Sequence, residues 1–360
     1  MLRRVLSLVG LLLVGLSASH GARAQDESAQ AWLGLIAGPA AASETVLAAD
    51  MASLFASSAE LRVVPMLGDT GAGNLSLLLD HPSVDLAFVS TDVLGEQAAK
   101  ENSLTDKLEL VARLSPQEVH LLARSDIGAA SELSRKPVGF GPAGSASAIA
   151  GAALFRTLGI EIEAVHLDAT AAIEQLKHGT ISAAVIVGGR PSPLVAAIPI
   201  TAGIHLLPVP FSAPLDAAYL PARLESADYP NLIRTGRDVT TIATGIVLLA
   251  ARTKADPGAQ RRLDRFVAAL FPRFAELQAQ GRHPKWRESC RKPSRLEALP
   301  RGRSLARRDS RGESQALEGK HSGGPSPRPA GGHEQAAAGG PVQAVHRVAA
   351  RQGALTRGFC

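Results

Sequence analysis

At 360 residues the chain is long enough for two modest α/β domains, and its only cysteines, Cys290 and Cys360, stand near the C-terminus, which excludes a disulfide-stapled body. The net charge of +5 is unevenly spread: residues 289–360 hold 13 Lys and Arg against five Asp and Glu, so residues 1–288 carry −3. A mildly acidic body argues against nucleic acid as a partner, and 4% aromatic residues leave little for a stacking groove for sugars or bases.

In chain order, Met1–Arg4 is basic, Val5–Leu16 is apolar, and Ala22-Arg23-Ala24 precedes Gln25. This is the pattern of a secretory signal peptide (1–24) cleaved after Ala24, too short in its apolar run to anchor in a bilayer. The mature protein is therefore expected in the periplasm. Trp32–Ala37 reads as a strand. Ser43–Phe55 reads as a helix, with Val46, Leu47, Met51, Leu54 and Phe55 on one face. Leu61–Met66 is a second strand, Gly68–Gly73 a turn, and Leu75, Leu78 and Leu79 mark a short helix. Val84–Ser90 is nearly all apolar, as expected of a strand covered on both faces. Leu108–Leu114 and Val119–Arg124 follow as two more strands.

The middle of the chain repeats this alternation. Pro137–Phe140, Glu163–Leu167 and Ile181–Val187 read as strands. Ser145–Leu158, with Ile149, Ala152, Phe155 and Leu158 inward, and Ala169–His178 read as helices. Residues 208–238, rich in Pro, Asp and Arg, read as a surface excursion. Thr240–Ala251 returns as a long strand, and Pro257–Leu277 as a helix kinked at Pro272. Strands joined through helices by short connections imply mainly parallel sheets. A chain that leaves one α/β block, builds another and returns gives two lobes with a cleft between them. The expected division is 25–118 and 239–288 for the first lobe and 119–238 for the second.

Beyond about Glu288 apolar periodicity ends. Read one frame over with GC-rich codons, Ser289–Arg307 can encode helix formers, two Trp and a Pro-Gly turn. Residues 289–360 are thus expected to be a frameshifted, disordered tail.

The strongest local signal is VGFGPAGSAS (138–147). It fits G-x-G-x-x-G between a strand and a helix, with Glu163 and Asp168 where a ribose-binding acid would stand. Three readings stay open: a dinucleotide site, a plain helix cap, or a carboxylate pocket. For the last, Ser145 and Ser147 supply hydroxyls beside the unpaired N–H groups of a helix start, with Gly144 and Ala146 adjoining. A second helix start carries Ser43 and Glu44. Ser90, Thr91 and Asp92 follow a buried strand, where polar residues tend to face a ligand crevice, and Gly189 and Arg190 occupy the equivalent place in the second lobe. Arg190 either pairs with a ligand carboxylate or is a solvated surface residue. There is no G-x-S-x-G or H-E-x-x-H motif and no cysteine in the body, and the histidines lack metal-ligand spacing.

GP with a polar helix start (38–45), GDTGAGNLSLL (68–78), VDLAFVSTD (84–92), KPVGFGPAGSASAIAGAALFRTLGI (136–160), LKHGTISAAVIVGGRPSP (176–193) and RHPKW (282–286) occur in this order. Together they resemble the TAXI family of solute receptors of TRAP transporters. The resemblance implies an α/β fold of the two-lobed type II periplasmic-binding-protein kind, each lobe a mainly parallel sheet flanked by helices. It implies a monomeric receptor, not an enzyme and without cofactor or metal. Such a receptor captures a small carboxylate, a glutamate-like amino acid or another organic acid, and delivers it to TRAP membrane permease subunits. Site roles carry over to Ser43, Ser90–Asp92, Gly144–Ser147 and Gly189. The chain departs from the family in FGPAGSAS for the usual VGPPGSGT, in LAFVSTD for LAFVQSD, and in Ala40-Ala41-Ala42 where glycines are usual. An exported nicotinamide-dependent oxidoreductase using the GFGPAG turn is the alternative.

Overall fold

The computed structural model describes residues 31–289 apart from 41, 217 and 253–255, together with Glu297–Ala298. The expected leader (1–24) and the tail, save Ser289 and that last pair, lie outside the described residues.

Three short strands open the first lobe: β1 (Ala31–Ile36), β2 (Leu61–Met66) and β3 (Leu86–Ser90). They are parallel, with Ala31 opposite Leu61 and Leu35 opposite Leu86. Every residue of β3 is buried, because helices cover both faces of the sheet. One cover is α1 (Ser43–Leu54) with α7 (Pro257–Leu277), and the other is α2 (Ala72–Asp80) with α3 (Thr91–Lys100). The second lobe repeats the plan with parallel β5 (Pro137–Phe140), β6 (Glu163–His166) and β7 (Ala183–Gly188). Its covers are α4 (Ala146–Leu158) on one face, and α5 (Ala169–Lys177) with the short α6 (Pro193–Ala196) on the other. Two lobes with two covered faces each account for the four hydrophobic clusters. Burying each large aliphatic side chain in them stabilises by roughly 1.5–3 kcal/mol.

Two long antiparallel strands join the lobes: β4 (Leu108–Arg124) and β10 (Val239–Ala251). The sheet order is β2-β1-β3-β10-β4-β7-β5-β6. The first half of β4 pairs with β10 inside lobe one, and its second half pairs with β7 and with β8 (Ile204–Leu207) in lobe two. Likewise β10 runs from β9 (Leu220–Leu224) to β3. This is the two-lobed type II architecture the resemblance implies, with a parallel trio at the heart of each lobe and antiparallel strands along the crossing.

Several expectations change. The two strands read at 108–124 are one strand; Ser115-Pro116 suggested a break, but Pro116 lies opposite Gly245, beside a register shift where a missing N–H is tolerated. On α4 the inward stripe includes Ala148, Gly151, Leu154 and Phe155, whereas Ala152 is exposed, as is Val46 on α1. Residues 208–238 are not merely a surface excursion: Val209, Leu215, Tyr219, Leu224, Tyr229, Leu232 and Ile233 are buried. Glu297–Ala298 forms a two-residue strand, β11, against Leu110 and Glu109 of β4. Among the described residues no helix is long and apolar enough to cross a membrane.

Candidate functional site

A cavity of about 130 Å³ lies where the two lobes face each other. Four helix starts border it. Pro39, Ala40, Ala42 and Ser43 lead into α1, Gly68–Thr70 toward α2, Gly141, Pro142, Ser145 and Ser147 into α4, and Leu167–Ala169 into α5. The first turns of a helix leave N–H groups without intrahelical partners and carry about half a positive charge. Four such ends around one space make it hospitable to oxygen-rich, anionic groups.

Local chemistry fixes each wall. Ser145 caps α4, its Oγ accepting from the Ala148 N–H at 3.3 Å. Ser147 Oγ accepts from the Val187 N–H at 3.0 Å, which ties α4 to the end of β7. Asp168 caps α5 through the Ala171 N–H at 2.9 Å. In the first lobe, Asp69 Oδ1 accepts from the Gly71 N–H at 2.8 Å. Asn74, fully buried, holds this loop in place. Its amide donates to the carbonyls of Ala37 (2.7 Å) and Phe88 (2.8 Å), and its Oδ1 accepts from the Asp69 N–H at 3.0 Å.

Two bonds cross between the lobes beside the cavity. The Gly189 N–H donates to Ser43 Oγ at 2.7 Å, and the Ala72 N–H donates to the Gly144 carbonyl at 3.0 Å. The second crossing needs glycine: a Cβ on Gly71 would stand 2.4 Å from the Gly144 oxygen. The Ser43 hydroxyl donates in turn to Glu44 Oε2 at 3.1 Å. Glu44 is buried behind this contact, and its desolvation pushes the carboxyl up to about 7.

Of the residues singled out from sequence, Ser43, Ser145 and Ser147 line the cavity. Gly144, Ala146, Glu44 and Gly189 stand just behind it, in or next to the contacts between lobes. Ser90, Thr91 and Asp92 gather elsewhere, at the crossing of β10. Asp92 accepts from Thr244 Oγ1 (3.1 Å), from the Tyr219 hydroxyl (2.9 Å), from the Val93 N–H (2.9 Å) and, at short range, from Ser90 Oγ. Thr91 Oγ1 accepts from the Gly245 N–H at 3.1 Å. Burial raises the Asp92 pKa above its ordinary value, and these hydrogen bonds oppose the rise. Arg190 does not line the cavity. Its guanidinium lies 2.8 Å from Glu225 and 3.1 Å from Asp228, with Glu118 and Glu288 at 3.7 and 3.8 Å.

Sequence reasoning missed three supports. Tyr219 joins the Asp92 cluster from the second lobe. His120 is held neutral by burial, which lowers its pKa to about 4. Nδ1–H donates to the Ile186 carbonyl (3.2 Å) and Nε2 accepts from the Tyr229 hydroxyl (2.7 Å); Tyr229 then accepts from the Ser192 N–H (2.8 Å), fixing another cavity residue. Lys285, fully buried, reaches Glu118 at 2.6 Å and Glu288 at 2.7 Å. The RHPKW segment is thus a fastening: Arg282, the His283 N–H and Trp286 Nε1 all engage Asp50 of α1.

Residues 51–266, more than half of the chain, match the model of the NMT1-like family. Solved structures similar to this chain include a TctC solute-binding protein from Polaromonas, at 18% identity over 73% of this chain and 88% of that one (TM-score 0.41). Another is the alkanesulfonate-binding protein SsuA from Xanthomonas axonopodis pv. citri bound to MOPS, at 18% identity over 70% and 75% (TM-score 0.45). The periplasmic binding protein BugD is similar at 13% identity over 71% and 85% (TM-score 0.46).

Proposed function

The chain belongs to the NMT1-like family, and on that premise we propose that it is a solute-binding receptor that holds a small carboxylate between its lobes and delivers it to a membrane transporter. It carries out no chemical step of its own. The observation that carries this reading is the cavity itself, walled by both lobes and bordered by four helix starts. A carboxylate is suited to those N–H groups and to the hydroxyls of Ser145 and Ser147. The order of motifs resembling TAXI receptors supports a TRAP-type permease as the recipient, an exported monomer freed of residues 1–24, and lobes divided at the β4 and β10 crossings.

Replacing Ser145 and Ser147 together by Ala is predicted to weaken solute binding at least several-fold, since hydrogen bonds to a charged group carry about 1.5–3 kcal/mol. Calorimetry on the double variant is the check, and an unchanged affinity would refute this anchor. A thermal-shift screen tests the wider reading. Stabilisation by amino acids or organic acids supports a receptor, and stabilisation by nicotinamide cofactors alone points instead to an oxidoreductase.

A further inference from the structure

Resting on the receptor reading of the cleft, we infer that the solute is an aliphatic amino acid: one carboxylate, one ammonium group and an apolar side chain. The four helix starts around the cavity are not alike. Two of them, at α2 and α5, already carry a carboxylate on the cavity wall, Asp69 and Asp168. Each spends one oxygen on its own helix start, Asp69 Oδ1 on the Gly71 N–H and Asp168 Oδ1 on the Ala171 N–H. Among the described residues the Oδ2 of each accepts no hydrogen bond. The start of α4 presents the hydroxyls of Ser145 and Ser147 to the cavity instead, while at α1 the Ser43 hydroxyl is already engaged by Gly189 and Glu44. Ser145, nine-tenths buried, spends its Oγ as an acceptor and keeps an O–H free to donate.

The cavity therefore has two polar ends of opposite preference. The start of α4, capped by Ser145, favours an anion. The starts beside Asp69 and Asp168, each acid offsetting the half-charge of its helix, favour a cation or a hydrogen-bond donor. A solute with both groups and no net charge matches this division.

Apart from Thr70 and Ser192, the rest of the wall is mainly apolar, with Phe140, Leu167, Val185, Ile186 and Leu194 from the second lobe. No Lys or Arg lines the cavity among the described residues, so a second carboxylate would meet hydrocarbon or an aspartate. Burying it there would be costly. The cavity, about 130 Å³, is of a size for a small solute.

The test is calorimetry on the full chain with L-leucine, its 2-oxo analogue 4-methyl-2-oxopentanoate, and L-glutamate. Leucine is expected to bind at least about tenfold more tightly than either, the ratio of one charge-assisted contact. Glutamate or the oxo acid binding as tightly as leucine would overturn the inference while leaving a carboxylate receptor standing. If none of the three binds but the thermal-shift screen finds another stabilising acid, the inference falls alone; if the screen also finds nothing, the receptor reading falls with it. Asp69→Asn and Asp168→Asn keep the oxygen that accepts from the Gly71 and Ala171 N–H groups, so both variants should fold. At least one of them should weaken leucine about fivefold or more without weakening the oxo acid. Unchanged leucine affinity in both would remove the ammonium end from the account.

Discussion

At the scale of single residues, Glu44 gives the protein a pH dependence that can be worked out. Its ordinary value is 4.5, and burial lifts it to about 7. Between those values the folded protein keeps a proton that the unfolded chain has released. The stability this site contributes is therefore intact below about pH 4.5 and is lost as pH rises to about 7, a span of up to about 3 kcal/mol. His120 acts in the opposite sense. Its value falls from 6.5 to about 4, so its contribution is lost as pH drops through that range. Comparing wild type with Glu44→Gln isolates the first effect, because glutamine stays neutral. Urea unfolding is predicted to show wild type losing stability relative to the variant as pH rises from about 5 to about 7. A difference that does not move with pH would contradict the assignment. The serines of the cavity were legible in the sequence because caps and short polar helix starts have local signatures. Tyr219, Tyr229 and Asn74 were not, since their partners are far away in the chain. Only the polar Asn74 placed just before the inward-facing Leu75 and Leu78 hinted at its role.

At the scale of elements, the loop before α2 depends on Asn74. Replacing it with Ala would leave the carbonyls of Ala37 and Phe88 and the Asp69 N–H without this partner. The predicted cost is about 2–3 kcal/mol, with faster amide exchange over residues 68–73. Wild-type stability and exchange in Asn74→Ala would show that the loop is held by something else. Most strands and helices were readable from apolar period and glycine or proline punctuation. The misses have physical causes. Residues 91–100 were given no helix, only polar residues Thr91 and Asp92 following a strand, because Glu96, Gln97 and Lys100 dilute the apolar stripe of α3. Residues 208–238 look soluble in composition, yet two tyrosines anchor them through buried hydroxyls. Ser115-Pro116 looks like an interruption, yet the strand passes through it beside an irregularity in the pairing with β10.

At the scale of the whole molecule, α/β alternation announced two lobes, but it could not announce the strand order. That order depends on β10 inserting between β3 and β4 from more than a hundred residues away. The closing segment of lobe one is equally long-range. Trp286 is fully buried, stacked edge-on against Phe274 with ring centres 5.8 Å apart, and bonded to Asp50. Trp286→Ala should cost about 3–5 kcal/mol, because it opens a cavity between α1 and α7. A loss below about 1 kcal/mol in denaturant unfolding would mean that residues 282–289 are dispensable to the lobe.

The central claim is that a carboxylate-bearing solute sits between the lobes, against the starts of α1 and α4. A crystal structure of the protein saturated with a solute that stabilises it tests this most directly. The account predicts solute density in the cavity, with its carboxylate within hydrogen-bonding reach of Ser145 or Ser147. A solute bound elsewhere, with that cavity left to water, would contradict it.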